Sequence, residues 1–204
     1  MSNKLLIGII IALVGINVYM LVHLQKGNSR NDAPVYSESD MLHTYKLNFI
    51  MGIKNSGLRL EDISMKDSSG MGVFMKDFLK GRDKPMLVCR FSEQHCESCV
   101  SFAIKQLQGI VDSVGRENVL LGGTYRNNKI FNRVKPLYGI DKLLVYNVPE
   151  LGIPVEELGY PYYFVLHGDL SISDVFVPDK GVPTLSNSYL GMIGKRYFDR
   201  NRHE

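Results

Sequence analysis

The sequence predicts an α/β sandwich, with helices flanking a mixed central sheet, preceded by one N-terminal transmembrane helix. Three observations carry this. Short apolar runs alternate with segments of helical period from about residue 57 onward. Residues 5–22 (LLIGIIIALVGINVYMLV) carry no charge over 18 positions, the minimum that crosses roughly 30 Å of hydrocarbon as a helix. A C-x-x-C pair, Cys96 and Cys99, separates an apolar run from an amphipathic helix.

Each element has its own signal. After the apolar segment comes HLQKGNSRND, with no small-residue cleavage site and no cysteine to carry a lipid, so an uncleaved signal anchor is expected over residues 1–24. Lys4 lies on one side, Lys26 and Arg30 on the other; charge barely sets the orientation. A single N-terminal anchor usually translocates the domain behind it, which places residues 27–204 outside the cytoplasm, in a periplasm-like compartment. Residues 25–56 read as a polar linker and a short helix, with Met41, Leu42, Tyr45, Phe49 and Ile53 on one side. The remaining stretch, 57–204, is the folded domain.

Within it, Leu58, Leu60 and Ile63 alternate with polar residues as in a strand, and KDSSGMG is a turn. VFMKDFLKG is amphipathic. PMLVCRF (85–91) has the apolar character of a buried central strand. Val100, Ala103, Ile104, Leu107, Ile110, Val111 and Val114 fall at helical spacing, opposite Lys105, Gln106, Gln108 and Asp112. ENVLLGGTY is a strand, NNKIFNRVKPLYG a helix closed by Pro136 and Gly139, and LLVYNV a shorter strand. PYYFVLHGDLSISDVFVP is a hairpin, and a last helix starts near Pro183 with Leu185, Tyr189, Leu190 and Ile193 inward.

Composition excludes several classes. The chain has 204 residues, 45% apolar and 22% charged, with net charge +3. That is an ordinary globular balance and gives no basis for nucleic-acid binding. Three cysteines are too few for a disulfide scaffold and leave one pair and one spare. Cys89, within the apolar run, reads as a small buried hydrophobe.

Cys96 falls where strand meets helix. Unpaired backbone N–H groups and the positive end of the helix dipole favour a thiolate there. Cys99, one turn further in, can attack a mixed disulfide on Cys96. The spacing thus supplies a nucleophile and a resolving thiol.

At this point the chain resembles the thioredoxin superfamily, in its membrane-anchored, TlpA-like and peroxiredoxin-like (AhpC/TSA-type) branch, over residues 57–198. GLRLEDISMKDSSGMGVFMKDFLKGRDKPMLV, RFSEQHCESC, GYPYYFVLHGDLSISDVF and PTLSNSYL carry the likeness. The resemblance implies a thioredoxin-like three-layer sandwich and a cis-proline opposite the cysteines. Pro161 leads directly into a strand and is chosen over Pro154. A cis bond there would turn the Tyr160 backbone toward the cysteines, to pair with an extended substrate; the bland reading is a strand-starting proline. The departures lie around the pair. His95 replaces the usual Trp, and is either a tuning residue or an exposed turn residue. Arg90 stands where the family has a buried acid or amide, and would stabilise a thiolate. Glu93 is a surface carboxylate or a proton carrier, and Glu97 beside Cys96 opposes a thiolate.

The expected function is an extracytoplasmic thiol–disulfide oxidoreductase needing no cofactor. Its partners would be thiol- or disulfide-containing proteins and an upstream redox partner. A redox-silent, membrane-tethered binding module is the alternative. Metal handling by His95, Cys96 and Cys99 lacks ligands. Peroxidase activity needs Ser or Thr where Glu93 stands.

Overall fold

A computed structural model describes residues 13–20, 38–140 and 143–199. Most of the predicted anchor, and residues 25–37 of the predicted linker and helix segment, lie outside these. Residues 13–20 are helical, and no helix among the described residues is long and apolar enough to cross a membrane. The described residues from 38 onward form one compact unit.

That unit opens with α1 (Glu38–Asn55), then β1 (Ser64–Lys66), β2 (Gly72–Phe74) and α2 (Met75–Leu79). Next come β3 (Met86–Ser92), α3 (Glu97–Gln108), α4 (Val111–Val114), β4 (Val119–Thr124) and α5 (Asn128–Val134). β5 (Leu144–Asn147), β6 (Tyr162–Leu166), β7 (Ile172–Phe176) and α6 (Pro183–Ile193) complete it. The seven strands form one mixed sheet in the order β2-β1-β5-β4-β3-β6-β7. β3, β4 and β5 run parallel, while β6 and β7 are antiparallel to their neighbours.

β3 lies inside the sheet, between β4 and β6, and its apolar run is explained by burial on both faces. The strand period of two divides its side chains. Leu87, Cys89 and Phe91 join a core with Val100, Ala103, Ile104 and Leu107 of α3 and Tyr189, Leu190 and Ile193 of α6. Met86 and Val88 join a second core with Met51 of α1, Met75 and Leu79 of α2, and Phe164 of β6. The result is three layers, as the sequence predicts.

Three local features differ from expectation. The alternating segment 58–63 makes a single bridge, Arg59 to Ser171, and the strand proper falls at Ser64–Lys66. Asp67 stabilises the turn after it, accepting from the backbone N–H groups of Ser69 and Met71. The long helix breaks at Gly109, so α3 and α4 are separate. α1 is a full 18-residue helix that docks by its other side. Thr44, Met51 and Asn55 are buried, whereas Leu42 (68% exposed), Phe49 (70%) and Ile53 (64%) face outward. The apolar stripe is therefore not what holds α1 to the domain. The helix is held instead by Met51, which packs into the second core, and by specific hydrogen bonds, with Asn55 Oδ1 accepting from Val155 N–H at 3.3 Å and Asn48 bonded to the Val177 backbone.

Candidate active site

Cys96 is the residue at which β3 turns into α3. Its carbonyl already accepts from the N–H groups of Cys99 and Val100, both at 3.0 Å, while its own backbone is still non-helical. Its side chain is therefore at a helix start, as the sequence predicts, and the structure leaves it exposed. Cys99, one turn in, is half-buried, and both are free thiols. The two differ in acidity. The Cys96 thiol is lowered to about 7, first by a hydrogen bond from Cys99, then by Ser98 and the Cys99 backbone N–H, with the Lys180 charge helping. Burial raises Cys99, and its bond to Cys96 adds to this. The pair thus divides into an exposed, acidic thiol and a sheltered, weakly acidic one. Burial drives the Cys89 thiol far up, as expected of a core residue.

The residues the sequence offers as tuning groups go elsewhere. Arg90 is buried on the face of the sheet opposite α3 and does not act on the Cys96 thiol. Its guanidinium pairs with Glu156 at 3.1 Å and donates to the carbonyls of Gly122 (3.0 Å), Pro149 (3.0 Å) and Val148 (3.4 Å) and to Thr124 Oγ1 (2.8 Å). Gly122 makes room for it, because a Cβ there would stand 2.9 Å from Arg90 Cδ. Glu93 pairs with Arg126 at 2.8 Å. His95 turns its ring back so that Nδ1 accepts from Ser92 N–H at 3.3 Å. Burial and the nearby Arg90 lower its pKa, which favours the neutral ring. Arg90, Glu93 and His95 instead line a cleft of about 400 Å³ with Thr124, Arg126 and Glu156, beside the cysteines. Glu97, exposed in the first turn of α3, is not among the groups that move the Cys96 thiol.

Pro161 is buried and immediately precedes β6, and Tyr160 before it is 49% exposed. β6 is antiparallel to β3, with Arg90 opposite Tyr162. Tyr160 and Pro161 thus sit at the sheet end where β3 leads to Cys96. No peptide bond among the described residues is cis, so the Tyr160–Pro161 bond is trans. This corrects the expected cis-proline.

No family model matches the chain, and no curated protein does. Solved structures do. A thiol:disulfide interchange protein from Bacteroides sp. aligns with a TM-score of 0.50 at 13% identity, over 72% of this chain and 93% of that one. This chain has a thioredoxin fold. The thioredoxin domain of a thiol-disulfide oxidoreductase from Bacteroides vulgatus aligns at 13% identity and TM-score 0.45, over 66% of this chain and 97% of that one. A peroxidoxin from Mycobacterium tuberculosis aligns at 13% identity and TM-score 0.47, over 68% and 97%.

Sequence reading missed three residues of this thioredoxin-fold site. Ser98 lies inside the C-x-x-C pair, and its hydroxyl is 3.2 Å from Cys96 Sγ. Lys180 comes from the loop before α6, with Nζ 2.8 Å from Ser98 Oγ. Nothing local to residue 180 announces that approach, which the fold alone creates. Glu156 had a signal: an arginine in an otherwise apolar strand requires a buried acceptor somewhere. Among the described residues, no three His, Cys, Asp or Glu side chains cluster as a metal site would need.

Proposed function

We propose that this chain is a thiol–disulfide oxidoreductase, tethered to a membrane by its N-terminal apolar segment and working outside the cytoplasm. The observation that carries the reading is the division of labour in the cysteine pair. Cys96 is exposed and acidic, while Cys99 is half-buried and held as a thiol. Cys96 thiolate attacks one sulfur of a substrate disulfide, forming a mixed disulfide and expelling the other sulfur as a thiolate. Cys99 then loses its proton to solvent and attacks Cys96 Sγ, closing the Cys96–Cys99 disulfide and releasing the second substrate thiolate. Two electrons pass to the substrate, whose two sulfurs take up two protons. A dithiol partner reverses these steps to reset the enzyme. The opposite direction uses the same intermediates. Tyr160 and Pro161, at the same sheet end, are where an extended substrate segment would lie.

The experiment uses the full chain and oxidised glutathione as substrate disulfide. Cys99→Ser should retain one glutathione on Cys96, visible by mass. The wild-type protein should release it and end as an intramolecular disulfide, and Cys96→Ser should do neither. A Cys99→Ser protein that gains no adduct, or gains it at Cys89, contradicts the reading.

A further inference from the structure

The polar side of α1 leads to the redox site through hydrogen bonds to one loop and from that loop to Ser98. Asn48 acts on Val177 as a neighbouring strand would. Its Nδ2 donates to Val177 O at 3.1 Å, and Val177 N–H donates to its Oδ1 at 2.7 Å. One turn earlier, the buried Thr44 hydroxyl donates to Asp179 Oδ2 at 2.8 Å. The other carboxylate oxygen, Oδ1, accepts from Gly181 N–H at 2.7 Å, and Asp179 O accepts from Val182 N–H at 3.0 Å. Loop 177–182 is thus fastened to α1 at two points, Val177 and Asp179, and folded tightly on itself around Asp179. Lys180 lies inside that fold, between Asp179 and Gly181, and its Nζ reaches Ser98 Oγ at 2.8 Å.

The chemistry of the donors fixes the direction of the last two bonds. An ammonium group has protons to donate and no lone pair to accept with. Ser98 Oγ must therefore be the acceptor from Lys180. Its own hydroxyl proton is then free for Cys96 Sγ, 3.2 Å away. A cation behind the hydroxyl polarises it and strengthens its donation to sulfur.

We propose that α1 is a positioning element of the redox site, in which Thr44 and Asn48 hold loop 177–182 so that Lys180 directs the Ser98 hydroxyl onto Cys96. The helix lies outside the 57–198 stretch that resembles the thioredoxin superfamily, so the device is built on an addition to that fold. It extends the site to residues more than 40 positions before Cys96. The proposal rests on Cys96 being the reactive thiol. Its test nevertheless reads the thiolate directly, so failure of the coupling is distinguishable from failure of disulfide exchange. The titratable groups that act on Cys96 are Cys99 and Lys180.

The test measures the rate of Cys96 alkylation by iodoacetamide against pH, on the full chain, with the modified residue located by mass. Lys180→Met and Ser98→Ala should each move the midpoint upward by about half a pH unit, roughly a threefold slower reaction on the acid side. Thr44→Val should move it the same way. The Thr44→Val, Lys180→Met double variant should move it no further than Lys180→Met alone, because both act on one contact. Lys180→Arg, which keeps the cationic donor, and Thr44→Ser, which keeps the hydroxyl, should restore the wild-type profile. Lys180 is exposed, so its variants test the last bond without disturbing the fold. A Thr44→Val protein that melts earlier but titrates as wild type would give α1 a purely structural role and overturn the proposal. So would a Lys180→Met profile identical to wild type, or shifts in the double variant that simply add.

Discussion

Glu156→Ala is expected to destabilise the fold by about 3 kcal/mol, the lower end for breaking a buried ion pair. For a chain of this length that lowers Tm by roughly 6–12 °C, which thermal unfolding monitored by circular dichroism checks. The reason is the charge left behind. The Arg90 side chain is 3% exposed and Glu156 19% exposed, so removing the carboxylate leaves a guanidinium charge in the interior with no anion. Glu156 also accepts from Tyr162 Oη at 3.0 Å and from the N–H groups of Leu151 (2.8 Å) and Gly152 (2.9 Å). The same carboxylate therefore holds the loop that leads to Tyr160. The lower figure applies because Glu156 is partly open to solvent and Arg90 keeps its carbonyl acceptors. Glu156→Gln, which preserves an acceptor oxygen, should lose less. A Glu156→Ala protein melting within about 2 °C of wild type would mean the pair carries no such weight.

Alkylation of the wild-type chain is expected to be confined to Cys96 at neutral pH and to follow one titration with a midpoint near 7. The donors around the sulfur set the sign. The Cys99 thiol, Ser98 and the Cys99 N–H all stabilise the anion, so the thiolate is present above about 7 and is lost as pH falls through it. Below the midpoint the rate should fall about tenfold per pH unit, and above it the rate should level off. Cys99 should react only in more alkaline solution, its thiol being raised by burial and by its bond to Cys96. Cys89 should react only on unfolding, because it is buried in the core. Mass analysis of protein alkylated at graded pH reads all three. A Cys96 midpoint in the ordinary thiol range, or comparable labelling of Cys99 at neutral pH, would contradict the assigned roles.

The layout of the domain was legible where local pattern and tertiary environment agree. β3 reads as a central strand because a residue run buried on both faces is apolar at nearly every position, Arg90 excepted. α3 reads as a helix because one face meets a core and the other meets water. Cys96 at their junction comes from those two readings, with no further information. The failures share a physical cause. α1 shows an apolar stripe, yet the domain grips Thr44, Met51 and Asn55; hydrophobic periodicity has no access to side-chain hydrogen bonds made about 100 residues away in sequence. Arg90 is close to Cys96 in sequence, but the pleat directs it to the other face of the sheet. Lys180 is 84 residues from Cys96 and reaches Ser98 only because the loop before α6 returns over the start of α3. Sequence distance misplaced the electrostatics of the site in both directions, whereas Cys96 does lie at the strand–helix junction.

The central claim is that Cys96 and Cys99 form a working redox couple. It is tested most directly by equilibrating the full chain in graded mixtures of reduced and oxidised dithiothreitol, and of reduced and oxidised glutathione. Free thiols are then quenched by alkylation and the protein is weighed. The expected result is one reversible two-electron transition, from a form with both thiols labelled to one in which Cys96 and Cys99 are joined. That transition should be absent in Cys96→Ser. A pair that stays fully labelled across the whole range, with wild type and Cys96→Ser differing only by the lost site, would contradict it.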